Sequence, residues 1–330
     1  MEYTTIPGIG LEVSRIGLGT WAIGGWMWGG TDEEQSVRCI QAALDQGINC
    51  IDTAPVYGFG RSEEIVGRAL KEYGHRGSII LASKVGLEWD EQGRVFRNSR
   101  PERINEEIDA SLKRLGTEYI DLYQIHWPDP QVPFEETAGA LLRLQEQGKI
   151  RAIGVSNYAP DQMDAFRNGA QLSTCQPPYN LFERAIEETV LPYCKQNGVV
   201  LLSYGALCRG LLSGRMNRDR RFQGDDLRKV DPKFKEPRFS QYLEAAGKLQ
   251  ELARERFGKD LLHMAVRWIL DRDVQIALWG ARRPEQLEPL PDIVHWNLSF
   301  EDLRSIDRII GETVKDPIGP DFMAPPARRV

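Results

Sequence analysis

Asp52, Tyr57, Lys84 and His126 put a carboxylate, a phenol, an ammonium and an imidazole in one chain, and three of the four close a strand-like run. The runs are Asn49–Asp52, Ile79–Lys84 and Asp121–His126. Tyr57 follows the first in a Gly-rich loop, Ala54-Pro55-Val56-Tyr57-Gly58-Phe59-Gly60. A phenol near pKa 10 surrenders its proton poorly at neutral pH. A neighbouring ammonium favours the phenolate, a carboxylate orients that ammonium, and an imidazole can hold a carbonyl oxygen. Together they suit proton delivery to a carbonyl that is being reduced. Each residue alone has a plainer reading: Asp52 as a helix cap, Lys84 as a solvated cation, His126 as a core histidine, Tyr57 as an anchored aromatic. Four such groups in order, at successive strand ends, outweigh those readings.

Short apolar runs alternate with amphipathic segments along the whole chain. Arg15–Gly19 is the first strand and Asn49–Asp52 the second. Between them Thr31-Asp32-Glu33-Glu34 reads as a capped helix start, with Val37, Ile40, Ala43 and Leu44 on one face. Ser62–Tyr73 is the second helix. Ile79–Lys84 precedes a helix from Pro101, and Asp121–His126 one over Phe134–Gln147. Arg151–Ser156, Ser173–Pro177, Val199–Tyr204 and Gln275–Trp279 supply strands five to eight, with helices over Pro160–Arg167, around Glu183–Gln196, over Tyr242–Phe257 and over Asp260–Leu270. Further helices start at Pro284 and span Ser299–Glu312. The charged stretch Arg215–Ser240 reads as a large mobile loop. Strand–helix alternation implies right-handed parallel crossovers. Eight units fit an α/β fold of the (β/α)8 TIM barrel type, one domain over residues 1–330, with a long loop at about 215–240 and an extended tail at 314–330. Tyr3–Val13, turning at Pro7-Gly8-Ile9-Gly10, reads as an N-terminal hairpin cap, and the last helices are extra to the barrel. A doubly wound dinucleotide fold is disfavoured, because Gly17-Leu18-Gly19-Thr20-Trp21-Ala22 lacks the third glycine of that fingerprint.

Composition narrows the class. Of 330 residues, 41% are hydrophobic and 27% charged, which excludes disordered and fibrous chains. The start, Met1-Glu2-Tyr3-Thr4-Thr5, has no signal-peptide pattern and no run approaches a membrane span, so a cytoplasmic location is expected, with no membrane partner. Net charge of −6 argues against nucleic acid. Five scattered cysteines form no C-x-x-C pair, and four histidines show no metal spacing; reduced thiols and no metal are expected.

In barrels of this kind, functional residues gather at the C-terminal strand ends. Asp52, Lys84 and His126 end strands two, three and four, so they should share one mouth with Tyr57. Here the chain resembles the aldo-keto reductases over essentially its whole length, most of all the bacterial general-stress branch related to potassium-channel β subunits. The resemblance rests on Ile51–Gly58, Leu122–Pro128, Gly148–Asn157 and Gln176–Asn180. It implies that Tyr57 is the general acid, that Lys84 lowers its pKa, that Asp52 holds Lys84, and that His126 orients the substrate carbonyl. It implies NADP(H), bound extended. Ser156, Asn157 and Gln176 would bind the nicotinamide carboxamide and Tyr204 would stack on the ring, with Thr20, Trp21 and Asp52 close to it. Tyr204–Gly210, through Gly205, Ala206, Leu207, Cys208 and Arg209, would cradle the pyrophosphate, and Arg215 and Arg228 would fold over it. Gly280, Ala281, Arg282, Arg283 and Gln286 would hold the 2′-phosphate. Pro289-Leu290 replaces the Glu-Asn of many relatives, which puts an adenine contact in doubt. Trp21 and Trp127, with Tyr57 and His126, would line a pocket for a small carbonyl substrate, and the stress branch suggests reactive aldehydes. Two other readings stand: a cofactor-sensing partner protein, and an NADP-dependent alcohol or sugar dehydrogenase.

Overall fold

A computed structural model describes residues 1–328. Arg329 and Val330, the end of the expected tail, lie outside the described residues. Twelve strands are present. β1 (Tyr3–Thr4) and β2 (Val13–Ser14) form an antiparallel pair. The barrel strands are β3 (Ile16–Gly19), β4 (Cys50–Asp52), β5 (Ile80–Val85), β8 (Ile120–Ile125), β9 (Ile150–Ser156), β10 (Thr174–Gln176), β11 (Val200–Ser203) and β12 (Ile276–Gly280). They are parallel, and β12 pairs back onto β3, closing the barrel. β6 (Leu87–Trp89) and β7 (Val95–Arg97) make a hairpin above β5 that the sequence reading did not contain.

Ten helices are described. α1 (Trp21–Gly24) is one turn after β3. α2 (Glu33–Asp45) lies in the same connection, before β4, and α3 (Arg61–Tyr73), α4 (Pro101–Leu115), α5 (Phe134–Glu146) and α6 (Pro160–Arg167) follow β4, β5, β8 and β9. α7 (Val190–Asn197), α8 (Arg238–Phe257), α9 (Leu261–Leu270) and α10 (Phe300–Thr313) complete the chain. Local chemistry sets their ends. Asp32 accepts a hydrogen bond from Gln35 N at the start of α2, Pro101 opens α4, and Gly116 ends it in the left-handed region (φ 63°).

Three expectations need correction. The helix expected around Glu183–Gln196 begins only at Val190. Asn180 Oδ1 takes the Phe182 and Glu183 N–H groups into a turn, and the later start leaves Pro192 in the first helical turn, where its missing donor costs nothing. The segment from Pro284 is a single 3-10 turn. The charged stretch read as a mobile loop to Ser240 is a loop with short 3-10 turns that ends at Pro237 and is anchored near its middle. Asp225 accepts from Met27 N (2.7 Å) and Gly29 N (3.1 Å), Leu227 N donates to Met27 O, and α8 already starts at Arg238.

Side chains alternate across each strand. Outward residues such as Ile51, Leu81, Tyr123 and Ile153 pack under the helices. Inward residues form two storeys. The lower is apolar: Cys50, Ile80, Ala82, Leu122, Ala152, Leu202 and Ile276, closed from below by Ile6, Ile9 and Val13 of the hairpin, as expected of a cap. The upper is polar and holds Asp52, Lys84, Gln124 and Gln176, all buried.

Ile6 is 1% exposed in the plug, so Ile6→Ala should lower stability by about 2–4 kcal/mol. Urea unfolding checks this, and an unmoved midpoint would mean that the hairpin is dispensable to the barrel.

Candidate active site

The upper storey is built on one ion pair. Lys84 Nζ donates to Asp52 Oδ2 at 2.6 Å and to Thr53 O at 3.0 Å, and lies 3.3 Å from the Tyr57 hydroxyl. The pairing β4–β5–β8 places these groups: Asp52 is in register with Ala82, and Lys84 with Gln124. His126 follows the end of β8, its N–H on Val85 O, and its ring meets the Tyr57 ring edge-on at 5.6 Å. The four residues expected to converge therefore do so at one mouth, with Lys84 fully buried beneath the other three.

Tyr57 is set by backbone packing as well. The α1 turn presses on its loop so closely that a Cβ on Gly24 would sit 2.5 Å from the Tyr57 carbonyl, which only glycine permits. The Trp21 ring stacks on Tyr57 at 6.0 Å. Thr20 Oγ1 bonds Asp52 O (2.9 Å) and Ser62 Oγ (2.8 Å), tying the ends of β3 and β4 to α3.

The electrostatics are those of a dry site. Burial first, and then the Asp52 charge, push the Tyr57 phenol well above its ordinary value. The expectation from the resemblance was the reverse, a phenol lowered by Lys84; the carboxylate that holds Lys84 offsets its pull. Burial also lowers Lys84, against the pull of Asp52. His126 is held well below the usual imidazole range by burial and by the Lys84 charge, so it is neutral at neutral pH. Tyr57 is thus a stored proton beside a neutral imidazole.

From this mouth a continuous cavity of about 1130 Å³ runs to Arg282, Arg283 and Gln286. That exceeds the roughly 300–1,000 Å³ of an ordinary small-molecule site, leaving room for an extended dinucleotide and a small second ligand. Ser156, Asn157, Gln176 and Tyr204 line its inner part. Asn157, in the left-handed region (φ 61°), donates to His126 O and Ser156 Oγ and accepts from the Tyr204 hydroxyl at 2.9 Å. Gly205, Ala206 and Leu207 line the middle, with Arg215 and Arg228; Gly280 and Ala281 lie at the far end with Arg282, Arg283 and Gln286. Two expected residues differ in placement. Cys208 is fully buried and does not line the cavity. Arg209 does line it, but its guanidinium is bound to Asp231 (2.5 Å) and Glu183, with Lys233 on the same glutamate. Arg228 is likewise gripped by Asp226. Trp127 lines the mouth under Arg97, as do Trp26 and Trp28. The sequence reading left open the tail, which borders the mouth through Phe322, Met323 and Pro325; Arg97 ties it down through Pro325 O and Pro326 O.

The model for the aldo/keto reductase family matches residues 15–311. The chain is 60% identical to Aldo-keto reductase YhdN of Bacillus subtilis, over 99% of both chains. It is 38% identical to the NADH-specific methylglyoxal reductase of Escherichia coli, over 88% of this chain and 93% of that one. Among solved structures, a glycerol dehydrogenase from Gluconobacter oxydans superposes with a TM-score of 0.89 at 55% identity, covering 98% of this chain and 99% of that one.

Removing one member of a buried ion pair strands the other. Lys84→Met should cost about 3–5 kcal/mol of stability, and Asp52→Asn added to it should restore most of that loss. Denaturant curves of the two single variants and the double variant check the coupling; additive losses would refute it.

Proposed function

The chain belongs to the aldo/keto reductase family, oxidoreductases that act on carbonyl and CH–OH groups with a nicotinamide cofactor, and on that premise we propose an NADPH-dependent reductase of small aldehydes with Tyr57 as proton donor. The observation that carries this reading is the chain Asp52–Lys84–Tyr57, at 2.6 and 3.3 Å, ending beside the neutral His126 at the floor of the cavity. The nicotinamide supplies the hydride, and the protein supplies position and the proton. A carbonyl oxygen placed between Tyr57 and His126 accepts a hydrogen bond from each. As charge develops on that oxygen, Tyr57 passes it the phenolic proton, and Lys84, 3.3 Å away, stabilises the phenolate left behind. Trp21 and Trp127, with Val56 and Leu87, wall the mouth in apolar surface, which suits a short carbonyl compound.

For the cofactor, the unused acceptor of Gln176, with Ser156 and Asn157 beside it, fits a carboxamide, and Tyr204, fixed by Asn157, fits a stacked ring. The far end argues for a 2′-phosphate. Arg282 and Arg283 line it, and burial together with the charges of Arg283, Arg228 and Arg220 lowers Arg282. Guanidiniums that repel one another are relieved by a dianion. The NADH-specific relative from Escherichia coli marks cofactor choice as the feature to test.

The likeness to a glycerol dehydrogenase favours a second reading, oxidation of a small alcohol at the same site with Tyr57 as base. Tyr57 lies above its ordinary value, so the acid form persists through neutral pH and the base form is scarce. Reduction should therefore be flat from about pH 6 to 9, while oxidation climbs with pH across that range. Rates in both directions at 340 nm check this.

Tyr57→Phe should reduce turnover by at least about 10²-fold while leaving cofactor affinity intact, and Arg283→Ala should weaken NADPH more than NADH. Turnover unchanged in Tyr57→Phe would remove the assignment of the acid; equal losses for both cofactors would remove the 2′-phosphate assignment.

A further inference from the structure

Gln124 has no part in the chemistry described so far, yet its side chain lies at the centre of the polar storey. It is 0% exposed and two residues before His126, so its side chain points inward one storey below the imidazole. Its Nε2 lies 3.3 Å from Asp52 Oδ1, the oxygen Lys84 does not use. Its Oε1 lies 3.3 Å from Gln176 Nε2, which also donates to Asp52 Oδ1 at 2.8 Å. The neighbouring strand makes room for it: Gly154 is in register with Gln124, and a Cβ there would meet Gln124 Cγ at 2.9 Å.

The directions of these bonds are forced. An ionised carboxylate only accepts, so both amides must turn their nitrogens towards Asp52. Gln176 then has one N–H on Asp52 and the other on Gln124 Oε1. Both donors are consumed, and the atom left over is its carbonyl oxygen, which accepts no hydrogen bond from the described residues. Gln176 lines the cavity, so that oxygen is what it can present there. An unanchored amide could expose either end; one held at both N–H groups exposes an acceptor.

We propose that Gln124 is a positioning residue that, through Asp52 and Gln176, fixes the polarity of the Gln176 amide and so commits the inner cavity to a ligand bearing an N–H donor, the carboxamide of a nicotinamide. This rests on the cofactor reading above. The same amide donates to the ion-pair carboxylate, so one side chain links ring recognition to the Lys84 relay. An apolar residue at 124 would leave Asp52 one donor short and take away one of the two acceptors that hold the Gln176 N–H groups, so the amide would be held at one point instead of two.

The test compares two probes on wild type, Gln124→Leu and Gln124→Glu: NADPH, which carries the carboxamide, and 2′,5′-ADP, which carries only the adenosine end. Binding is read by tryptophan fluorescence or calorimetry. In Gln124→Leu the Kd for NADPH should rise about tenfold, the scale of one buried hydrogen bond, while that for 2′,5′-ADP stays within twofold. In Gln124→Glu, NADPH affinity should be low at neutral pH and recover as pH falls. The carboxylate beside Asp52 is raised by like charge, and once protonated it both donates to Asp52 and accepts from Gln176. A general packing defect would weaken both probes and show no such recovery. NADPH affinity unchanged in both variants, or equal losses for the two probes, would overturn the inference alone. A wild type that binds NADPH no better than 2′,5′-ADP would overturn the nicotinamide reading, and this inference with it.

Discussion

A single buried ion pair organises the upper half of this barrel. Lys84 and Asp52 face each other at 2.6 Å with almost no access to water. Taking two charges out of solvent is expensive, and their attraction offsets the cost only when every remaining donor and acceptor is matched. The neighbourhood reads as the fulfilment of that condition. Thr53 O takes a second Lys84 proton, and two amides cover the free carboxylate oxygen. The Tyr57 hydroxyl stands where the third ammonium proton points. The phenol so placed meets the His126 imidazole edge-on, ring to ring at 5.6 Å.

The two storeys of the barrel divide the labour. The lower one is hydrocarbon packed to closure and contributes stability without polar obligations. The upper one is polar, and the apolar floor on which it stands keeps it dry. That dryness raises the phenol and lowers the imidazole. The far end of the cavity works by the opposite logic: Arg282 lies among the like charges of Arg283, Arg228 and Arg220, only partly offset by Asp226.

Much of this was legible because the chain carries its chemistry in register with its period. Asp52, Lys84 and His126 each end a run in which apolar residues give way to one polar group, and consecutive parallel strands are neighbours, so order along the chain became order around the mouth. The features that escaped lacked such a signal. Gln124 sits inside an apolar run, and only the parity it shares with His126 marks it as inward-facing. The β6–β7 hairpin is two three-residue strands among charged residues, too short for alternation to register. The Arg215–Ser240 stretch looked loose because its anchor, the Met27–Gly29 backbone on Asp225, is some 200 positions away and leaves no local trace. The pairing of Arg209, expected at the pyrophosphate, left no local signal because its partners, Glu183 and Asp231, lie more than 20 positions away.

The hairpin plug has a consequence of its own. With Ile6, Ile9 and Val13 filling the lower opening, the barrel is a vessel with one doorway. In the proposed reaction, substrate, product and the proton that would restore Tyr57 all share it. Among the described residues the storey beneath Lys84 is lined mainly by apolar side chains, a poor route for a proton. On the proposed role of Tyr57, recharging the phenol is bound to the opening of the mouth, and the acid is replenished only while the product's place stands vacant. A catalyst of that design would be reset by departure, through a single door framed by the tryptophans and the tail.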